Sequence, residues 1–276
     1  MVREGQLAPA TMAFNRLAAD YDRLACGELF EHQRRRTHAV LHQWIPAGSR
    51  VLEIGCGTGI DTAFLAARGN EVIACDPSRE MQRLTLGRAS AGGAARRVQV
   101  IDCGLETLPS LLFALGGIRF DAVISNFGAL NCVGDLSPLR RIVSTYLRPG
   151  GSLLLCVMGR HCLWEMVYLS ISGRSAEARR RRAVTRVPVA GIEVPTFYHT
   201  TEDLGLALGS GVALTHIFGI GVLSPPPYLE PRWRQTPALL RAAVTGADRL
   251  VASWPIVNRC GDHVLTRWVK RRDVRA

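Results

Sequence analysis

The stretch "VLEIGCGTGID", Val51–Asp61, sets a glycine-studded turn directly behind a short apolar run. Glycines in such a turn bring the backbone close to a nucleotide, so the ligand's chemistry is the question. A dinucleotide turn reads G-x-G-x-x-G, and its third glycine lets the following helix pack beside a pyrophosphate. Counted from Gly55 and Gly57, that third position is Ile60, whereas the glycines here stand at 55, 57 and 59. Glu53 lies two residues ahead of the turn, where a carboxylate repels a pyrophosphate. The turn favours a ligand with a positive or neutral end.

Outward from this turn the pattern alternates. "RVLEIG" reads as a strand, "TAFLAARG" as a helix ended by Gly69, and "EVIACD" as a second strand. "REMQRLTLGRAS", "LPSLLFALGG" and "LSPLRRIVSTYL" read as helices, set between the strands "RVQVID", "FDAVISN" and "GSLLLCVM". Strand and helix alternating in this way predict a parallel sheet covered on both faces, with ligands at the carboxyl ends of its strands. Ahead of it, residues 12–45 carry apolar side chains at helical spacing until Pro46 and Gly48. The expected organisation is an N-terminal helical lid over 1–48, a ligand-binding core over 49–158 and an inserted cap over 159–199. Residues 200–276 return to the sheet through "LTHIFGIGVL" and "HVLTRWVK", with a helix near Ala238–Ala252 between them; "TTED" at Thr200–Asp203 reads as a helix N-terminus. The fold class is α/β, a doubly wound, mostly parallel seven-stranded sheet.

The 276 residues are 47% hydrophobic and 21% charged, a composition that can bury a full core. The net charge of +11 invites a nucleic-acid reading, but every basic residue other than the histidines is arginine except Lys270, a bias that base composition produces unaided. The run Arg179–Arg182 is expected to be a solvated helical face. The N-terminal stretch lacks the apolar core of a secretion signal, and no apolar run approaches the roughly 20 residues of a membrane-spanning helix. Eight scattered cysteines without a C-x-x-C pair are read as reduced thiols, which points to the cytoplasm.

With Glu53, Gly55, Gly57 and Gly59 in place, the chain resembles the class I S-adenosylmethionine-dependent methyltransferases, whose first motif is E/D-x-G-x-G-x-G. The resemblance covers roughly residues 10–158, and "FNRLAADYD" at Phe14–Asp22 is similar to the start of the small-molecule, quinone-methyltransferase-like branch. It implies that Asp76, followed by Pro77 and Met81, receives the ribose hydroxyls of S-adenosyl-L-methionine. It implies likewise that Asp102 and Cys103 face the adenine, that Asn126 and Phe127 face the methyl, and that Tyr21 covers the cofactor. Simpler roles exist for the same residues: a helix contact for Tyr21, a turn for Asp76, a helix cap for Asp102.

The expected acceptor is a small molecule, a secondary metabolite or quinone-like compound, methylated at oxygen, nitrogen or carbon by in-line displacement. His161 and His199 have the titration range of a general base, and Trp164 and Tyr198 are candidates for an apolar substrate wall. His38, His42, His216 and His263 are expected away from the opening. The fourth strand ends in "SNFGAL" rather than the Asn/Asp-Pro-Pro-aromatic signature of base-amine methyltransferases, which disfavours that substrate class. The alternatives are an RNA-directed enzyme using the arginine run and a non-catalytic cofactor-binding regulator. No metal site is expected, although Cys103, Cys132 and Cys162 raise the thought of a soft ion.

Overall fold

Both faces of a parallel sheet must be apolar, and alternate residues of each strand serve opposite faces. In the first strand Leu52 and Ile54 enter one hydrophobic cluster while Val51 enters the other. The computed structural model describes residues 8–272. The portions of the 1–48 and 200–276 segments beyond those limits lie outside the described residues.

Two helices lead, α1 (Pro9–Leu24) and α2 (Glu28–Trp44). Between them Gly27 adopts a φ of 137°. A side chain there would collide with Glu230, whose carboxylate accepts the Glu28 and Leu29 N–H groups at 3.0 and 2.9 Å. A carboxylate 202 residues away thus caps the start of α2, where it also meets the positive end of the helix dipole.

The alternating region follows as β1 (Arg50–Ile54), α3 (Ile60–Ala67), β2 (Glu71–Asp76), α4 (Arg79–Ala91), β3 (Val98–Asp102) and α5 (Leu108–Ala114). It continues through β4 (Phe120–Ser125), α6 (Pro138–Tyr146) and β5 (Leu147–Met158). Next come α7 (Leu163–Ile171), β6 (Thr185–Val189), β7 (Ile192–Thr196), α8 (Thr201–Leu208) and β8 (Val212–Ile220). The chain then passes through α9 (Glu230–Trp233) and α10 (Ala238–Val251) to β9 (His263–Lys270). The seven-stranded sheet has the order β3-β2-β1-β4-β5-β9-β8, with β9 antiparallel to both neighbours. The chain winds outward from β1 to β3 and returns to β4, so a crevice opens beyond the carboxyl ends of β1 and β4. Thr200 and Asp203 form a reciprocal capping box at the start of α8.

Residues 159–199 contain a helix and a two-stranded hairpin, and the hairpin is absent from the sequence reading. Its turn places Ala190 and Gly191 at φ of 48° and 77°, and alanine is a poor signal for such a turn. Pro188 and Pro195 fit because both strands of this small sheet are edges.

The arginine run departs from expectation. Arg181 is buried: its Nε donates to Glu165, and its two terminal nitrogens donate to the Asp262 carbonyl and carboxylate at 2.9 and 2.7 Å. Arg180 also pairs with Glu165. The run is a clamp between the cap and the segment before β9, because two buried carboxylates require cations.

Candidate functional site

The glycine turn between β1 and α3 folds as it does because the Gly55 and Cys56 N–H groups both donate to the Cys75 carbonyl, at 2.8 and 3.0 Å. Gly55 has a φ of 73°, and a Cβ there would stand 2.3 Å from that of Ala129. At Gly57, φ is 54° and a Cβ would meet no protein atom, so the open space there belongs to the cavity. Gly57 donates its N–H to Asp76 Oδ2 at 2.9 Å, and Ser78 donates to Asp76 Oδ1 at 2.9 Å. Burial pushes the Asp76 carboxyl above its usual range, although these two N–H groups act the other way. Each carboxylate oxygen keeps a lone pair for a ligand.

A cavity of about 390 Å³ opens at this point, lined by the turn, the ends of β2 and β4, and the inner faces of α1 and α2. The charged residues among its described lining are Arg34, Asp61, Asp76 and Glu106, three acids against one cation. That balance suits a ligand carrying positive charge and a diol, and it opposes a pyrophosphate.

Of the expected cofactor residues, Tyr21, Gly55, Gly57, Asp76, Pro77, Met81, Cys103, Asn126 and Phe127 line this cavity. Three others do not. Glu53 lies behind the turn, 2% exposed, accepting a 2.5 Å hydrogen bond from Thr62 Oγ1; burial and the nearby Asp61 charge hold its carboxyl well above the ordinary range. Gly59 caps α3 with φ of 78° and packs on Thr85. Asp102 ends the edge strand β3, where Arg79 from the first turn of α4 draws its exposed carboxylate into a 3.2 Å ion pair.

The expected catalytic and substrate residues are not brought to the cavity. His161 is exposed on the chain leading into α7. The ring of His199 is engaged by backbone, with Nε2 at 3.2 Å from the Leu130 carbonyl and 2.9 Å from that of Val133. Trp164 donates its indole N–H to the Leu223 carbonyl, and Tyr198 lies buried with the Arg181 guanidinium 5.7 Å above its ring. The aromatic lining comes instead from Phe14, Tyr21, Phe30 and Phe127. The cysteine idea fails similarly, since Cys162 is buried away from the cavity that Cys103 and Cys132 line, and no cluster of metal ligands occurs among the described residues.

Tertiary packing adds residues that the sequence reading missed. Asp61, in the first turn of α3, accepts from Asn126 Nδ2 at 2.9 Å through one oxygen and lies 2.6 Å from His38 Nε2 through the other. The His38 ring stacks on Phe64 with centroids 4.0 Å apart, so the histidine placed farthest from expectation stands directly behind the cavity. Asn15 of α1 accepts from Ser78 Oγ at 2.7 Å, and Asp22 accepts from Thr58 Oγ1 at 2.7 Å while pairing with Arg88. These contacts fasten α1 across the glycine turn and bring Tyr21 over the cavity. Burial pushes the Tyr21 phenol upward.

Residues 51–151 match a family described as a methyltransferase domain. The chain is 36% identical over 110 residues to demethylmenaquinone methyltransferase of Clavibacter sepedonicus, covering 40% of this chain and 41% of that one. It is 34% identical over 125 residues to tRNA 5-carboxymethoxyuridine methyltransferase of Escherichia coli K12, covering 45% and 46%. The matched region therefore spans less than half the length of these curated relatives. Among solved structures, the CcbJ methyltransferase from Streptomyces caelestis superposes with a TM-score of 0.59 at 15% identity, over 95% of this chain and 99% of that one, a likeness of fold.

Proposed function

We propose, from the premise that this chain carries a class I S-adenosylmethionine-dependent methyltransferase domain, that it methylates a small-molecule acceptor. The observation that carries the reading is the Asp76 carboxylate, held by two backbone N–H groups at the wall of a cavity with three acids and one arginine. S-adenosyl-L-methionine, when bound, supplies a methyl group on a sulfonium that departs as a neutral thioether. The residues fit that molecule: Asp76 would receive the ribose diol, and Asp61 and Arg34 offer opposite charges for an amino-acid end. Gly57, where a Cβ would meet no protein atom, would leave room for the nucleoside part.

The protein's own part in the reaction is alignment and exclusion of water, which together account for up to roughly 7–11 kcal/mol in well-oriented model reactions. Tyr21 and the clamped α1 close the cavity, and Phe14, Phe30, Leu105, Leu130 and Val133 give it an apolar side. That lining supports an aromatic or isoprenoid acceptor, of the kind used in quinone formation or secondary metabolism, in the cytoplasm. His161 and His199 stand away from this space, so the proposed reaction draws on neither as a base. The test is incubation with labelled S-adenosylmethionine and a cell extract, followed by mass spectrometry. A labelled small molecule supports the reading, and label appearing only in RNA or nowhere refutes it.

An RNA acceptor is the second reading, favoured by the tRNA-modifying relative and the positive charge. Against it, two arginines of the run are occupied by Glu165 and Asp262. RNA binding with a steep salt dependence would favour it.

A further inference from the structure

We propose that the face built from α7, α10 and the turn after α10 docks on an anionic phospholipid surface. This surface lies apart from the cavity, and the inference does not depend on the reaction.

The sequence of α10, "ALLRAAVTGADRLV", separates into two sides. One side is anchored. Asp248 is buried, accepts the Val222 and Leu223 N–H groups at 2.7 Å each, and lies 2.8 Å from His32 Nε2. The other side is thereby turned outward, and it is apolar: Leu239 is 85% exposed, Leu250 72% and Trp254 56%. With Ala243 these residues follow one another at spacings of four, seven and four, a single stripe along the helix.

The stripe continues into a strained turn. Val257 donates its N–H to the Pro255 carbonyl at 2.8 Å, closing a γ-turn around Ile256 at φ 70° and ψ −54°. A β-branched residue is costly in that conformation, yet its side chain is 81% exposed and gains nothing from the fold. Alongside, α7 presents Leu163, Val167 and Ile171 to solvent at four-residue spacing. Leu163 N–H donates to the Cys260 carbonyl at 2.9 Å just past that turn, and Trp164 of α7 donates to the carbonyl of Leu223, whose own N–H donates to Asp248 of α10.

Charge decides the occupant. Residues 159–199 hold seven arginines against three acids, and residues 221–262 hold five against three. Arg180 and Arg181 are taken by Glu165 and Asp262, and Arg160, Arg174, Arg234, Arg241 and Arg259 pair with Asp203, Glu177, Glu230, Glu28 and Glu202, so the field outside comes from the remaining arginines, among them the exposed Arg179, Arg182 and Arg249. Outward leucine, isoleucine and tryptophan flanked by arginines are the signature of a helix lying in a lipid headgroup layer. A second copy would set the same arginines against one another across a two-fold axis. No described helix is long and apolar enough to cross a membrane, so docking is peripheral.

The test is co-sedimentation of the full chain with vesicles of phosphatidylcholine, with and without phosphatidylglycerol. Binding is expected only to the anionic vesicles and should weaken as salt rises. Leu250→Glu combined with Trp254→Glu should weaken it by at least about tenfold while leaving circular dichroism and the thermal midpoint unchanged, since both side chains are exposed. The proposal is overturned if the unmodified protein ignores anionic vesicles or if the double variant binds as well. It is equally overturned if the chain forms a dimer in sedimentation velocity that the double variant disperses.

Discussion

Replacing Asp76 by alanine separates ligand binding from folding. In the free protein this carboxylate accepts the Gly57 and Ser78 N–H groups, both at 2.9 Å, and burial raises its pKa. A carboxyl whose folded pKa is raised contributes stability below its unfolded pKa of about 4 and loses it as pH rises. The ionised Asp76 therefore costs the free protein stability at neutral pH, and water in the cavity can serve the two released N–H groups. Asp76→Ala should leave the free protein's stability within about 1 kcal/mol of the original at pH 7.5. With ligand the balance reverses. Two charge-assisted hydrogen bonds to a ribose diol, at roughly 1.5–3 kcal/mol each, amount to about 3–6 kcal/mol, a hundredfold to ten-thousandfold in affinity. At a ligand concentration of about 100 Kd, the original protein gains about 2.7 kcal/mol; a hundredfold weaker variant gains about 0.4 kcal/mol. Calorimetric titration with S-adenosylmethionine and with S-adenosylhomocysteine, paired with thermal melts, reads both quantities. Affinity within threefold of the original would refute the role given to Asp76, and a collapsed melt without ligand would refute the electrostatic argument.

Glycine substitutions should divide by environment: Gly55→Ala drives a methyl toward Ala129 and should cost roughly 1–3 kcal/mol in chemical denaturation, whereas Gly57→Ala should cost less stability and more cofactor affinity because its methyl occupies the cavity. Arg181→Met leaves Glu165 only Arg180 and Tyr228, and Asp262 only Gln33 and His263, and should cost up to roughly 3–5 kcal/mol, against less than about 0.5 kcal/mol for Arg179→Met, in the same assay. His199→Ala should lower stability by about 1–2 kcal/mol and His161→Ala by almost nothing, with turnover of the identified acceptor preserved in both; a pH–rate profile altered by either would restore it as a base. Glu53→Gln should raise the thermal midpoint of the free protein at neutral pH, because burial and Asp61 push the native carboxyl upward. That gain should vanish below about pH 4, where the native glutamate is protonated in both states; a gain independent of pH would contradict the assignment.

The readable part of this protein is local in the chain. Three glycines at alternate positions, a carboxylate two residues ahead and an acid closing the next strand all lie within 26 residues, Val51 to Asp76. Their conformations follow from short-range sterics and from the register of two adjacent parallel strands. The alternation of apolar strands and amphipathic helices reports burial on both faces, so the sheet was legible before any contact was known. The hairpin of the cap was hidden because its turn uses alanine in a left-handed conformation and its strands carry prolines.

What only tertiary structure decided is which side chains share the cavity. His38 and Asp61 are 23 positions apart on different helices, and Asn126 is 65 from Asp61, so no spacing rule joins them. Phe14 walls the cavity because Asn15 and Asp22 bind α1 to Ser78 and Thr58, and Phe30 reaches it from α2; Trp164 and Tyr198, equally aromatic in the sequence, are spent on Leu223 and Arg181. Residue type and periodicity set whether a group is buried. The identity of its partner depends on how whole elements close on one another, since a buried charge or N–H takes whichever complement the packing brings within reach.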